Sequence, residues 1–282
     1  MKNILLPTDF SDNSWNAIKY ALNFFENNEC NFYLLHVNRL NNIITEEDDY
    51  IQTPEVIEAI YTKPAKNKLR NILKRISLEC SSNKSYKFYA QTDHDFFIDS
   101  IRKHVDENRI DLIVMGTKGA SGLPKIIAGS NTGDVITKVR CTTLVVPENA
   151  TFTRPKEVAF PTDFHLFYHI DTLQPVLDIL ERYKATLRIV HVSKRHSELN
   201  SDQENTKELL KDYFSYYDFS FHFLTNKKIE DAIQCFVESR GVNMVVMVAK
   251  NLNYFQQILF HSNVENISYH TDIPFLVLHE RH

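Results

Sequence analysis

Five of the chain's six glycines fall within eighteen residues, at Gly116, Gly119, Gly122, Gly129 and Gly133. Glycine makes up about 2% of the sequence against a usual ~7%, so this crowding calls for a local reason. Glycine serves where φ must be positive, or where a ligand has to approach the backbone without meeting a Cβ. The stretch follows a short β-rich apolar run, Ile110-Asp111-Leu112-Ile113-Val114, and leads into residues 130–138, where Val135, Ile136 and Val139 recur at helical spacing. Strand, glycine loop and helix start are the layout of a phosphate cradle, because backbone N–H groups and the positive end of the helix converge on the loop. A tight turn or a ligand-free lid are the plainer readings. A turn, however, uses one or two glycines rather than five, and the cradle is preferred to both. The common phosphate signatures G-x-x-x-x-G-K-[ST] and G-x-G-x-x-G do not occur, so the loop is of another kind.

The chain's 282 residues are many for one compact domain and comfortable for two. A hydrophobic content of 43% with 24% charged residues is that of a globular chain with a real core. The net charge of −4 and isoelectric point near 6.3 argue against a nucleic-acid binder. The opening Met1-Lys2-Asn3-Ile4-Leu5-Leu6-Pro7-Thr8-Asp9 is too short in apolar residues for a signal peptide. No run approaches the ~18 residues of a membrane span, so the expectation is a cytoplasmic protein with no membrane partner. Cys30, Cys80, Cys141 and Cys235 show no C-x-x-C spacing, which suits buried reduced thiols.

Strand and helix signals alternate along the chain. Residues 3–6 read as a buried strand ending at Pro7, and Ser11 is placed to cap a helix carrying Trp15, Ile18, Leu22 and Phe25. A second strand at 32–37 precedes a helix at about 63–79 with Leu69, Ile72, Leu73 and Ile76 on one face. A weaker strand at 86–90 follows, then a helix capped by Asp95, a strand at 111–115, the glycine loop, a helix from Ser130 and a strand at 143–146. Such alternation makes a parallel sheet with helices on both faces. The pattern then restarts: Phe160-Pro161-Thr162-Asp163-Phe164 repeats Leu6-Pro7-Thr8-Asp9-Phe10, His191-Val192 repeats His36-Val37, and Phe275-Leu276-Val277-Leu278 repeats 143–146. The chain is an internal duplication of two α/β domains, 1–147 and 156–282, joined near Pro147 to Pro155. The second copy lacks a counterpart of residues 39–62, an acidic piece with Glu46-Glu47-Asp48-Asp49 read as a solvated excursion.

Gly116, two residues, Gly119, nine residues and Gly129-Ser130 match the G-x2-G-x9-G-[ST] loop of the universal stress protein family, and Leu6-Pro7-Thr8-Asp9-Phe10-Ser11 resembles that family's opening strand and turn. The resemblance is strong over 1–147 and weak over 156–278. It implies two tandem doubly wound five-stranded parallel-sheet domains, Rossmann-like and of the adenine-nucleotide α-hydrolase type, with ATP or AMP bound where the loop is kept. Carried over by position, it assigns Pro7, Thr8 and Asp9 to the adenosine end and Val37 to backbone contact with adenine. Met115 and Gly116 would line the nucleoside, and Thr117 beside them counts among the nucleotide-binding residues. Gly119, Gly129 and the N–H groups of Ser130, Asn131 and Thr132 would hold the phosphates, with the Ser130 and Thr132 hydroxyls as further donors. Asn131 stands where many members carry a small apolar residue, and its side chain also suits capping the next helix. Lys118 and Lys125 are equally read as phosphate neutralisers or solvated lysines, and Asp111 as a turn residue. Mg²⁺ arriving with a triphosphate would rest mainly on phosphate oxygens and water.

The second copy places Val248, Asn251 and His261 where the first has Gly116, Gly119 and Gly129, and adds Tyr254, Phe255 and Phe260. It is therefore not expected to bind ATP in this manner. His261, His270, His279 and His282 are too irregularly spaced to read as a metal cluster. The leading function is a nucleotide-binding regulatory or stress-response module, its second domain an internal pseudo-dimer partner paired through the last strands, with further homodimerisation left open. A slow ATP hydrolase is the alternative, and a scaffold without nucleotide the third. Hydrolysis needs a group that orients water and one that stabilises transition-state charge. Arg102 and Arg140 lie on ordinary helix or turn positions, so no catalytic residue is assigned and the balance leans away from an enzyme.

Overall fold

The computed structural model describes residues 1–39, 54–80, 85–117, 130–166, 168–194, 198–249 and 272–280. The chain forms two compact units that part between Glu148 and Asn149. In the first, strand β1 (Lys2–Pro7) leads to helix α1 (Asp12–Phe24), β2 (Cys30–Arg39), the short α2 (Pro54–Ile57), a π-helical turn (Glu58–Thr62) and α3 (Lys63–Glu79). Then come β3 (Tyr86–Asp95), α4 (Phe97–Glu107), β4 (Leu112–Gly116), α5 (Ser130–Lys138) and β5 (Thr143–Val146). The strands lie in the order β3-β2-β1-β4-β5 and every pair is parallel.

The second unit runs β6 (Glu157–Pro161), α6 (Ile170–Tyr183), β7 (Thr186–Ser193), α7 (Ser201–Phe214), β8 (Phe219–Thr225), α8 (Ile229–Arg240), β9 (Met244–Val248) and β10 (Phe275–Leu278). Its order, β8-β7-β6-β9-β10, is the same arrangement, again all parallel. In each unit the strand order reverses beside the first strand, between β1 and β4 and between β6 and β9. That switch point opens a crevice outside the strands' C-terminal ends, where open α/β sheets take their ligands.

The central strands are continuous apolar runs because both faces are covered. On one face Leu5, Leu35, Ile113 and Met115 pack with Ile101 of α4 and Val135 of α5. On the other, Phe32 meets Phe25 at 6.5 Å and Phe88 at 5.5 Å between ring centroids. Helix α1 starts as its sequence implies: the Ser11 hydroxyl accepts the Ser14 N–H at 3.2 Å. Asp111 accepts the Asn3 N–H at 2.9 Å, tying the N-terminal ends of β1 and β4 together as a turn residue.

Four expectations need correction. Strands β2 and β3 outrun 32–37 and 86–90, because their ladder continues without a break from Cys30 opposite Tyr86 to Arg39 opposite Asp95. Asp95 does not cap α4; its carboxylate accepts the Phe96 N–H at 2.7 Å, one residue before the helix, and the N-cap is Phe96. Part of the segment read as an excursion is helical, and Thr62 at its end has its hydroxyl 2.7 Å from His94 Nε2. Of the four free thiols only Cys30 and Cys141 are buried, with Cys80 half-buried and Cys235 exposed on α8.

Leu5→Ala should cost the native state about 2–5 kcal/mol by leaving a cavity in the first unit's core. Leu78→Ala, on the solvent side of α3, should stay within about 0.5 kcal/mol. Urea unfolding of both variants, followed by tryptophan fluorescence, reads the difference.

Candidate functional site

The C-terminal end of β1 is fastened by one residue. Thr8 is buried, and its N–H donates to the Leu35 carbonyl at 2.9 Å. Its hydroxyl lies 2.9 Å from the Ser14 hydroxyl and accepts the Phe10 N–H at 3.1 Å, while its carbonyl is 2.8 Å from His36 Nδ1. A carbonyl only accepts, so His36 carries its proton on Nδ1. Phe10 adopts φ +67° and packs against the His36 ring, tilted by 35° with 4.3 Å between centroids, and the Lys68 ammonium lies 5.2 Å from the Phe10 centroid. Asp9 is thereby left exposed at the strand's mouth, its carboxylate accepting the Ser11 N–H at 3.1 Å and the Ser11 hydroxyl.

Burial holds His36 below the ordinary histidine range, and the Lys68 charge adds to this. The hydrogen bond to Thr8 and the Asp9 charge oppose it without prevailing. The imidazole is neutral at neutral pH.

Gly116 closes β4, and there a side chain has no room: a Cβ built on it would lie 2.6 Å from Asn13 Oδ1 of α1. The Thr132 hydroxyl donates to the Gly116 carbonyl at 2.8 Å, fixing the first turn of α5 against the end of β4. Thr117 is buried, and its N–H donates to the Val146 carbonyl at 3.2 Å. The first-turn N–H groups of a helix lack intrahelical partners, so α5 turns donors toward the same end of the sheet.

Pro7, Thr8 and Asp9, Val37, Gly116 and Thr117, and Ser130, Asn131 and Thr132 all lie at the C-terminal edge of this unit's sheet or at the helix start that follows it. Met115 is the exception: its side chain packs with Leu5 and Val135, so only its backbone borders the crevice. The Thr132 hydroxyl is engaged by Gly116 rather than pointing outward as a further donor. Val37 packs against the same core, leaving its backbone at the edge. Gly119, Gly129, Lys118 and Lys125 lie outside the described residues. Sequence reasoning missed Asn13, Ser14, His36, Phe10 and Lys68. His36 and Phe10 did carry a signal, since both belong to the segments that recur in the second repeat.

That repeat keeps the same turn. The Thr162 hydroxyl pairs with Tyr168 at 2.7 Å and accepts the Phe164 N–H at 3.0 Å, His191 Nδ1 is 3.0 Å from the Thr162 carbonyl, and Phe164 has φ +58°. The crevice above it differs. Val248 stands where Gly116 does. Phe164 is fully buried among His191, Phe221 and Phe223. From α7 the Gln203 amide donates to the Asp163 carbonyl at 2.8 Å. Asn251, Tyr254, Phe255, Phe260, His261, His270 and His282 lie outside the described residues.

The profile of the Universal stress protein family matches residues 1–147. Two universal stress proteins of Methanocaldococcus jannaschii are similar in sequence. MJ0531 is 27% identical over 150 residues, covering 51% of this chain and 81% of the relative, and MJ0577 is 28% identical over 163 residues, covering 51% and 94%. The solved structure of a universal stress protein from Archaeoglobus fulgidus follows 98% of this chain and 97% of its own with TM-score 0.70 at 17% identity, a likeness of fold.

Gly116→Ala should destabilise the first unit by about 1–3 kcal/mol through overpacking against Asn13. The same change in an Asn13→Ala background should cost less, and thermal melts of the two pairs measure the coupling. Histidines partly or wholly shielded from solvent set a pH dependence. Burial lowers His36, His104, His191 and His222. Their stabilisation is therefore complete above the ordinary value of about 6.5 and is lost as the pH falls through the lowered native values. Tm should drop on acidification from pH ~7 to ~5, and less steeply in His36→Gln, which cannot titrate.

Proposed function

From the premise that this chain belongs to the universal stress protein family, we propose that its first repeat binds one adenine nucleotide, ATP or AMP, and works as a regulatory module rather than through turnover. The second repeat serves it as an internal partner. The observation that carries the reading is the junction at Gly116. A strand ends at a residue with no space for a Cβ, the glycine-rich sequence begins there, and the helix beyond is bound back to the same carbonyl through Thr132.

The described residues fit such a ligand. Asp9 is an exposed carboxylate at the mouth of the crevice, suited to accept hydrogen bonds from ribose hydroxyls. The N–H groups of the first turn of α5, with the glycines before it, would meet the phosphates. Mg²⁺ accompanying ATP would be held by phosphate oxygens and water. In the second repeat Val248 and the buried Phe164 favour no nucleotide in the corresponding place.

The test is to denature freshly purified protein, identify released nucleotide by chromatography and mass spectrometry, and count equivalents per chain. About one equivalent is expected, and none from a Gly129→Arg variant that still folds. A ligand at a hundred times its Kd stabilises the native state by about 2.7 kcal/mol, so added ATP should also raise Tm. No nucleotide and no shift would sink the reading. Two equivalents would refute the assignment to one repeat, and saturable phosphate release lost in Gly129→Arg would make the protein a hydrolase.

A further inference from the structure

Helix α3 concentrates charge that the rest of the chain does not share. Its seventeen residues carry six cations, Lys63, Lys66, Lys68, Arg70, Lys74 and Arg75, and one acid, Glu79. The helix is +5 in a chain of net −4, so the remainder is −9. The counterpart helix α7 has four acids and two cations.

Helical geometry sorts these cations. Ala65, Leu69 and Ile76 are buried, and a rotation of about 100° per residue puts Lys63, Lys66, Arg70 and Lys74 in one row along the solvent side, a turn apart over about 16 Å. All four are exposed. Glu58 reaches Lys66 at 3.2 Å, and among the described residues Lys63, Arg70 and Lys74 have no carboxylate partner. The two flanking cations are differently employed, Lys68 over Phe10 and Arg75 over Trp15 at 4.2 Å. Like charges at i,i+3 and i,i+4 oppose helix formation. Surface helices ordinarily relieve this with interleaved acids, as α7 does through Lys207–Glu204 and Lys211–Glu208. The row on α3 keeps the repulsion.

We propose that this cationic ridge docks an acidic segment of a partner protein. A membrane surface is disfavoured, because the apolar face of α3 is spent on the core. A long nucleic acid would meet the −9 of the remaining chain, and the row carries no aromatic side chain on which bases stack. A short acidic segment meets only the ridge. In extended form its same-side carboxylates recur every ~6.6 Å, close to the ~5.4 Å step of the cations. Leu78, 85% exposed on the same side near the C-terminal end, offers an apolar residue of that segment a contact.

Fluorescence anisotropy of a labelled oligoglutamate peptide, titrated with the full chain, tests this. Binding should weaken as salt rises and fall by at least about tenfold in a Lys63→Gln, Lys66→Gln, Arg70→Gln, Lys74→Gln variant. It should be unchanged in Lys207→Gln, Lys211→Gln, with circular dichroism showing all three proteins folded. No binding, equal binding by the ridge variant, or tighter binding of duplex DNA than of the peptide would overturn the proposal. So would binding that emerges only after Glu46→Gln, Glu47→Gln, Asp48→Asn, Asp49→Asn, since the chain's own acids would then be the occupant.

Discussion

A buried threonine at the end of a central strand has three polar groups to satisfy, and the crevice is built from the way it satisfies them. Thr8 gives its N–H to β2, takes a proton from His36 of the same strand on its carbonyl, and shares its hydroxyl with Ser14 of α1 and the Phe10 N–H. Left unpaired at that depth, each group would cost about 1–3 kcal/mol. The chain leaves the strand along a path that keeps all of them, with Phe10 in the left-handed region and Asp9 exposed to solvent at the mouth. The neutral imidazole is part of the same arrangement, since burial is what keeps its charge away.

The second repeat shows that this knot does not depend on the residues around it. Thr162, Phe164 and His191 reproduce the knot with Tyr168 in the place of Ser14. The larger side chain reaches the same hydroxyl, and burial raises its phenol above the ordinary range, so it stays protonated as a hydrogen-bonding group. The surroundings differ. A valine takes the glycine's position at the strand end, and Gln203 of α7 is bound to the turn. The knot is thus tied by its own hydrogen bonds, whichever residue closes the neighbouring strand.

Most of the architecture was legible because its signals are redundant. Apolar runs such as Leu5-Leu6 and Ile113-Val114, buried on both faces, announce strands, and Ser11 announces a helix start. The misreadings have physical reasons. Asn38 and Arg39, and Gln91 to Asp95, are polar, yet they extend the ladder because strand pairing is made by backbone, which polarity does not report. Met115 could not be aimed from sequence, because in a strand covered on both sides the alternation that distinguishes inward from outward disappears. Thr132 read as a free donor because nothing in a sequence shows that the Gly116 carbonyl, sixteen residues away, needs one.

Phe10 and Phe164 have a meaning beyond their own contacts. A phenylalanine at φ near +60° holds about 1–3 kcal/mol of backbone strain that a glycine would not. The two repeats differ at Ser14 and Tyr168, at Gly116 and Val248, and over residues 39–62, yet both carry the strained ring at this turn. A glycine there would relax the backbone and give up the ring's contact with its imidazole, so in each unit strain and packing are set against one another at a single residue.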